Sequence, residues 1–140
     1  MADTTPTTAI DGSKAVITWG SNTYHGIQNW SYAGTVNNTT VEFSSSSGIS
    51  TITLTGTPED TITFNMVVGQ GDSESVAAFK RGESNSTCEL HAEGDSAGNV
   101  EITFATGIVI DSSFGGTIGG PGILAVTIKC SGAVTITDAT

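Results

Sequence analysis

Three titratable residues alternate along one predicted strand: Glu89, His91 and Glu93 lie within Ser86–Glu93 (STCELHAE). Because successive side chains of a strand point to opposite faces, all three are predicted to share one face. Imidazole and carboxylate groups are metal ligands and general acid–base groups. Side chains at i and i+2 of a single strand nevertheless diverge too far to hold an ion without ligands from another strand. The sequence also lacks HxH, CxxC and HExxH spacings, so we predict a polar row, with no metal site and no cofactor.

Two other segments contain residues found in active-site motifs but lack the secondary structure that those motifs require. Gly94–Gly98 (GDSAG) superficially resembles a serine nucleophile motif, but a nucleophile elbow joins a strand to a helix, whereas this string joins two predicted strands. The glycine-rich stretch Gly115–Gly122 lacks the lysine and the following helix of a phosphate-binding loop. We therefore predict no catalytic residues and no enzymatic activity.

An aromatic group in the first third of the chain leaves a binding function open. Its members are Trp19, Tyr24, Trp30 and Tyr32. Such residues can form a platform for sugar rings, which makes a carbohydrate-binding β-sandwich module an alternative interpretation. Aromatic residues make up only 6% of the chain, however, and aromatics on alternating strands more often belong to a core. The His25 side chain is expected at the surface of the first hairpin.

The charge composition excludes several classes of partner. The chain has 140 residues, enough for one domain, and a net charge of -10. Its four basic residues are scattered: Lys14, Lys80, Arg81 and Lys129. They are too few to neutralise a run of phosphates, which argues against charge-driven nucleic-acid binding and against docking on an anionic membrane.

The N-terminal sequence and the cysteines indicate a cytosol-like compartment. Residues 1–12 (MADTTPTTAIDG) are polar, lack the apolar region of a signal peptide and are predicted to form a flexible arm before a single β domain at 13–140. Cys88 and Cys130 are expected to be reduced, buried thiols.

The elements that must position these residues are mostly strands. Alternating apolar and threonine-rich runs predict strands at Ala15–Trp19, Thr23–Gln28, Trp30–Val36, Thr40–Ser44, Ile49–Thr55, Thr61–Val68, Ser86–Glu93, Asn99–Ile110, Ile123–Cys130 and Ala133–Thr137. One helix is predicted over Asp72–Arg81, capped by the side chain of Asp72 or Ser73 and ended by Gly82. The fold class is therefore mainly β, an antiparallel sandwich or partly open barrel with one short flanking helix.

Turn signals divide these strands. Asn37-Asn38 and Gly56–Asp60 predict turns, Ser44–Gly48 (SSSSG) predicts a loop tip, and Asp111–Gly122 predicts a mobile loop. Gly107 is a candidate bulge, after which the inward positions are expected to be Ile108 and Ile110.

The order of elements from Thr61 to Ile136 resembles that of the tail tube proteins of long-tailed bacteriophages, the lambda type among them. The matching sequence is TITFNMVVGQGDSESVAAFKRGESNSTCELHAEGDSAGNVEITFATGIVIDSS, followed by ILAVTIKCSGAVT. It contains a strand, a helix introduced by Gly and Asp, a strand, a turn, a longer strand and a final hairpin. The resemblance covers about half of the chain, and the N-terminal half matches more loosely.

The resemblance implies a structural subunit of a virion tail that assembles in the bacterial host cytoplasm. Six copies would form a ring by joining their sheets, and rings would stack into a tube around a tape-measure protein, with other tail proteins as further partners and DNA passing through later. Glu89, Glu93 and Glu101 are the candidate lumen-facing acidic residues. A negative wall would repel the phosphates of the duplex and so let it slide.

The resemblance also assigns candidate contacts between subunits or rings. The polar segment Asn37–Ser50, the glycine-rich segment Asp111–Gly122 and the end of the predicted helix supply Asn37, Asn38, Glu42, Ser46, Lys80, Arg81, Phe114 and Ile118. A related contractile or transfer-particle tube, a capsid decoration protein and a tail terminator remain alternatives.

Overall fold

The computed structural model describes residues 14–94, 99–116 and 118–138. The predicted N-terminal flexible arm at 1–12 and the predicted turn Asp95–Gly98 lie outside these residues. Within them, no helix is long and apolar enough to cross a membrane.

Eight strands and one helix make up the described part of the chain. They are β1 (Val16–Trp19), β2 (Asn22–Tyr24), β3 (Ile27–Ser45), β4 (Gly48–Val68), α1 (Ser73–Ala78), β5 (Ser84–Asn85), β6 (Cys88–His91), β7 (Val100–Gly116) and β8 (Gly122–Asp138). The predicted class, mainly antiparallel β with one short helix, is confirmed.

All eight strands belong to one antiparallel sheet. Its order is β2-β1-β6-β7-β8-β4-β3, and β5 pairs separately with β7. Among the described strands, β2 and β3 pair on one side only, so the sheet is open. The hairpin of β1 and β2 turns at Gly20, whose φ of 69° is in the left-handed region that glycine adopts readily.

Phe79 shows how this single sheet encloses a core. Its ring centroid lies 5.6 Å from that of Trp19 on β1 and 5.3 Å from that of Phe64 on β4. These strands are separated in the sheet by β6, β7 and β8, so the sheet must curl until both sides reach the same ring. The result is a partly open barrel whose interior is completed by the residue that follows the helix.

The core consists of the inward positions of β1, β4, β6, β7 and β8, together with Ile27 at the start of β3 and Phe79 after α1. Its largest fully buried members are Phe64, Phe79, Phe104, Ile17, Ile62, Met66, Leu90, Leu124 and Ile128. They form one continuous cluster, to which α1 adds the partly buried Val76 and Ala78. Burial of this apolar surface is the main force that holds the short helix against the sheet.

The helix is shorter than predicted. It covers Ser73–Ala78, and no side chain caps its first turn, although Asp72 occupies the N-cap position. The Asp72 carboxylate instead accepts a bond from the Gly69 N–H at 3.4 Å, which stabilises the preceding turn. Gly82 has a φ of 95° but follows the helix by several residues, so the predicted end at Arg81 was wrong.

Three predicted turns or loops are strand. Asn37 and Asn38 lie inside β3, where the register shifts between Val36 and Asn38, and Gly56–Asp60 lies inside β4. Asp111–Gly116 extends β7, so the predicted loop Asp111–Gly122 is in large part a hairpin end. In each case cross-strand pairing overrides the local turn preference of Asn, Gly and Pro.

The change of parity in β7 is real, but its direction differs from the prediction. At a register shift between Phe104 and Thr106, two residues of β8, Gly132 and Ala133, lie opposite Ala105 of β7. The inward positions therefore change from Ile102 and Phe104 to Gly107 and Val109, while Ile108 and Ile110 are exposed.

Candidate interaction surfaces

The outer half of the β3–β4 hairpin extends beyond the rest of the sheet. Strand β8 pairs with β4 only from Asp60 to Val68, so among the described strands none lies beside the pairs from Val36–Pro58 to Ser45–Gly48. We call this part, residues 36–45 and 48–58, the arm. At the rise per residue of a strand it is about 30 Å long.

The arm has one apolar and one polar face. Directly paired residues share a face of an antiparallel ladder, which places Val41 opposite Ile52 and Thr39 opposite Leu54. Phe43 joins this face two residues beyond Val41. The exposed fractions are 41% for Val41, 42% for Phe43, 49% for Ile52 and 54% for Leu54.

The opposite face of the arm is mostly polar, with Ile49 near the tip as an exposed apolar exception. It carries the pairs Asn38–Thr55, Thr40–Thr53 and Glu42–Thr51. A two-stranded ribbon with one apolar face is marginal in water by itself, so the apolar face indicates a surface that becomes covered.

Specific contacts hold the base of the arm. The Tyr32 hydroxyl donates a hydrogen bond to Asp60 Oδ1, and Lys129 Nζ lies 3.4 Å from Glu59 Oε1. At Gly56, opposite the register shift, a Cβ would lie 2.3 Å from the Asn37 carbonyl oxygen. Glycine is therefore required where the two backbones approach most closely.

The two edges of the sheet are unequal. Strand β3 spans 19 residues and β2 spans three, and each pairs on one side only in the described part of the chain. The free side of β3 is a long row of main-chain donors and acceptors that a further strand can pair with.

The predicted contact residues fall on three separate parts of the molecule. Asn37, Asn38, Glu42 and Ser46 belong to the arm or its tip, and all four are exposed. Their role in contacts stays a prediction. The signal for the apolar face in the sequence is the spacing of two residues between Val41 and Phe43 and between Ile52 and Leu54. The interpretation of residues 37–50 as a polar segment overlooked it.

The other predicted contacts lie near the helix. Lys80 and Arg81 are exposed and line a shallow groove with Asp111 and Ser112. Phe114 and Ile118 are also exposed, and Phe114 borders an apolar groove whose other lining residues include Val68, Val76 and Ala77. The helix therefore contacts apolar side chains of the core on one side and borders an exposed apolar groove on the other.

The predicted acidic row divides into two parts. Glu101, on β7, is the cross-strand partner of His91, and its Oε2 lies 3.5 Å from His91 Nδ1. Glu89 Oε2 lies 3.1 Å from His91 Nε2. Glu93 is partly buried beyond the end of β6 and is not in this cluster. Whether any of the three glutamates faces a lumen stays a prediction, because that requires the assembled particle.

The aromatic residues do not form a sugar platform. Trp19 is buried, and its Nε1 donates to the Ala78 carbonyl oxygen at 3.1 Å. Tyr24 packs against Phe79 with ring centroids 4.9 Å apart, and Trp30 and Tyr32 are partly buried against the same core. His25 is exposed, as predicted.

Both cysteines are free and buried, as expected. Burial raises the pKa of the Cys88 thiol to about 11 and that of Cys130 to about 12. Both therefore remain protonated thiols at neutral pH, with little nucleophilic or metal-binding character.

Comparison with known proteins gives a fold and no sequence family. No family model and no curated protein matches the chain. A chain of the tail of an empty gene transfer agent particle, which has C6 symmetry, matches with a TM-score of 0.58 and 17% identity over 92% of this chain and 99% of that one.

Two structures from contractile systems have the same fold. A chain of the sheath–tube complex of PVC, an extracellular contractile injection system, matches with a TM-score of 0.62 and 15% identity over 94% of this chain and 93% of that one. The tube-terminating cap of the anti-feeding prophage matches with a TM-score of 0.57 and 15% identity over 99% and 97%. The fold expected from the tail tube resemblance is thereby confirmed.

Proposed function

We propose that this chain is a structural subunit of the tail tube of a phage or phage-like particle. It forms stacked rings, with six copies in each ring, around an acidic lumen for DNA passage. The observation that carries the proposal is the arm, an exposed amphipathic ribbon on a fold that matches tail and tube structures. A second copy of the chain is the partner that covers it.

Strand pairing supports closure of the ring. The free edge of β3 offers main-chain hydrogen bonds along 19 residues, and joining the edges of identical copies would extend one sheet around the ring. The sixfold symmetry of the matched gene transfer agent tail supports six as the number of copies.

Apolar burial supports stacking. The face formed by Val41, Phe43, Ile52 and Leu54 projects from the core-containing body, where a copy in the same or the next ring can reach it. Covering such side chains contributes about 25 cal/mol for each Å² removed from water. Because every subunit of a ring makes the same contact, these small contributions add up, and a small apolar patch on each subunit is enough to hold two rings together.

Charge supports the lumen. With a net charge of -10 for each copy, six copies carry 6 × -10, which is roughly -60, and acidic groups on a confined wall repel a duplex. Glu89, Glu93 and Glu101 are the residues we propose for that wall. A tape-measure protein in the lumen and assembly in the host cytoplasm are parts of the same proposal.

The test is assembly of purified protein, followed by sedimentation and electron microscopy. Tubes or stacked rings are expected, and more of them at high salt, because salt screens repulsion between like-charged copies. The variant Val41→Thr/Leu54→Thr removes apolar groups from the arm and should prevent stacking. The matched control Thr40→Ser/Thr53→Ser changes the polar face and should assemble normally.

A tail terminator is the second candidate, because the tube-terminating cap of the anti-feeding prophage has the same fold. Terminators would stop at a closed ring, whereas tube subunits continue to stack. Rings that never stack at any concentration would favour the terminator, and a monomer under every condition would contradict both functions.

A further inference from the structure

The strongest unexplained feature outside the arm is the environment of His91. Its side chain is only 7% exposed, and its Nδ1 is buried with no hydrogen-bond partner. Two carboxylates flank the ring, Glu89 beside Nε2 at 3.1 Å and Glu101 beside Nδ1 at 3.5 Å.

A neutral imidazole does not satisfy this arrangement. It carries one N–H, so it can donate to one carboxylate, and the lone pair of its other nitrogen then faces the second carboxylate. Two like charges and a lone pair close together in a partly buried site are costly unless a positive charge lies among them. A cation bound among these groups would supply that charge.

We propose that Glu89, His91 and Glu101 form a binding site for one divalent transition-metal cation of the Zn²⁺ class. One ligand atom from each residue lies within 4.8 Å of the other two. In tetrahedral coordination with bonds of 2.0–2.2 Å, two ligand atoms are about 3.4 Å apart. Side-chain torsions of the two glutamates must therefore close a gap of up to roughly 1.4 Å when the ion binds.

The fold supplies a third ligand from a neighbouring strand, which β6 alone lacks. Residues 89 and 91 of β6 diverge, as the sequence analysis argued, but β7 pairs with β6 so that Glu101 lies directly opposite His91. Thr103 Oγ1 also lies 3.5 Å from Glu101 Oε1, and such a contact orients the carboxylate. The prediction of no metal site assumed that all ligands lie on one strand.

The ligand types select the ion. Imidazole nitrogen favours Zn²⁺ and related transition metals over Mg²⁺ and Ca²⁺, which prefer oxygen ligands only. Glu89 is partly exposed, so water can complete the coordination. The protonated thiols of Cys88 and Cys130 are not competing ligands at neutral pH.

The test is calorimetric titration of the full chain with Zn²⁺ at pH 7.5. One ion for each chain is expected, and Zn²⁺ should raise the melting temperature. Glu89→Gln and Glu101→Gln keep the size of the side chain but remove the charge, and each should weaken binding at least tenfold. Millimolar Mg²⁺ should not displace the ion.

Two control variants separate this site from adventitious binding. Glu93→Gln lies near the cluster but outside it, and His25→Ala removes the exposed histidine, so both should bind Zn²⁺ as the unmodified chain does. No stoichiometric binding would overturn the proposal. Equal binding by Glu89→Gln and Glu101→Gln would overturn it as well. Tube formation does not depend on either result.

Discussion

The core-containing body and the arm are built from the same kind of strand but differ in what covers their apolar faces. In the body, Phe64 on β4 packs against Phe79 and is fully buried. In the arm, Ile52 and Leu54 lie on the same strand, one register shift away, and are half exposed. The alternation of apolar and polar residues along a strand therefore specifies which face is apolar, but not what covers that face.

This difference separates stability from assembly. Side chains of the body contribute to the free energy of unfolding, because folding removes them from water. Side chains of the arm remain in water after folding, so their contribution is expected only when copies meet. Variants in the two regions should therefore affect different measurements.

The largest expected effect on stability comes from Phe79→Ala. This ring joins β1, β2 and β4 at the centre of the curl, and its loss leaves a cavity that three rigid strands cannot fill. We expect a loss of about 3–5 kcal/mol in the free energy of unfolding, measured by denaturant titration. A loss below about 1 kcal/mol would show that the helix does not hold the two sides of the sheet together.

Gly107→Ala should have the next largest effect. A Cβ there would lie 2.7 Å from the Phe104 ring, 2.9 Å from Ile128 and 3.1 Å from Trp19. Because all three side chains are buried and packed, we expect a loss of about 1–3 kcal/mol from overpacking. A neutral result in the same denaturant titration would mean that this part of the core has spare volume.

Tyr32→Phe tests the junction between the two regions. Removal of the hydroxyl leaves Asp60 without its donor, and we expect a loss of about 1 kcal/mol at pH 7. The bond to Asp60, and then partial burial, raise the pKa of Tyr32 to about 12. The folded state thus holds the phenolic proton more tightly than the unfolded chain, in which a tyrosine titrates near pKa of about 10.

The sign of this shift fixes the pH dependence. The stabilisation is complete below about pH 10 and is lost as the pH rises towards about 12. The difference in stability between the unmodified chain and Tyr32→Phe should therefore shrink over that interval. Parallel profiles up to pH 12 would contradict the assigned bond.

Gly56→Ala is the counterpart of Gly107→Ala in the arm and should have the smallest effect on unfolding. The added Cβ meets the Asn37 carbonyl oxygen and must shift the backbone of the ribbon. Since the arm buries little, we expect a change within about 0.5 kcal/mol in unfolding, together with loss of tubes in electron micrographs. Unfolding of the whole chain by this substitution would show that the arm is part of the core.

The sequence predicts the body well because burial there is periodic. Ile62, Phe64 and Met66 share a face, as do Leu124, Val126 and Ile128, and both sets are buried as their spacing indicates. The fold class and the hairpin of β1 and β2 follow from the same pattern. The predicted position of the parity change in β7, Gly107, was nearly right. Which residues point inward after the register shift, however, depends on the pairing of β7 with β8.

The continuous length of the arm and the His91 cluster were beyond prediction from local signals, although short strands within the arm were predicted. Asn37-Asn38 and Gly56–Asp60 have strong turn preferences, yet Asn38 pairs with Thr55 and Pro58 with Val36 on either side of a register shift, so both strands continue. Glu101 approaches His91 only because the registers of β6 and β7 align them. Both features depend on long-range pairing, which one strand's composition does not contain.

The inequality of the two sheet edges has a final consequence for growth. When an edge of 19 residues joins one of three, the contact is head-to-tail, and identical units related in this way close into a ring whose two faces differ. A stack of such rings in one orientation would present different surfaces at its two extremities. Initiation at one extremity and arrest at the other become separate recognition events, each open to a different protein.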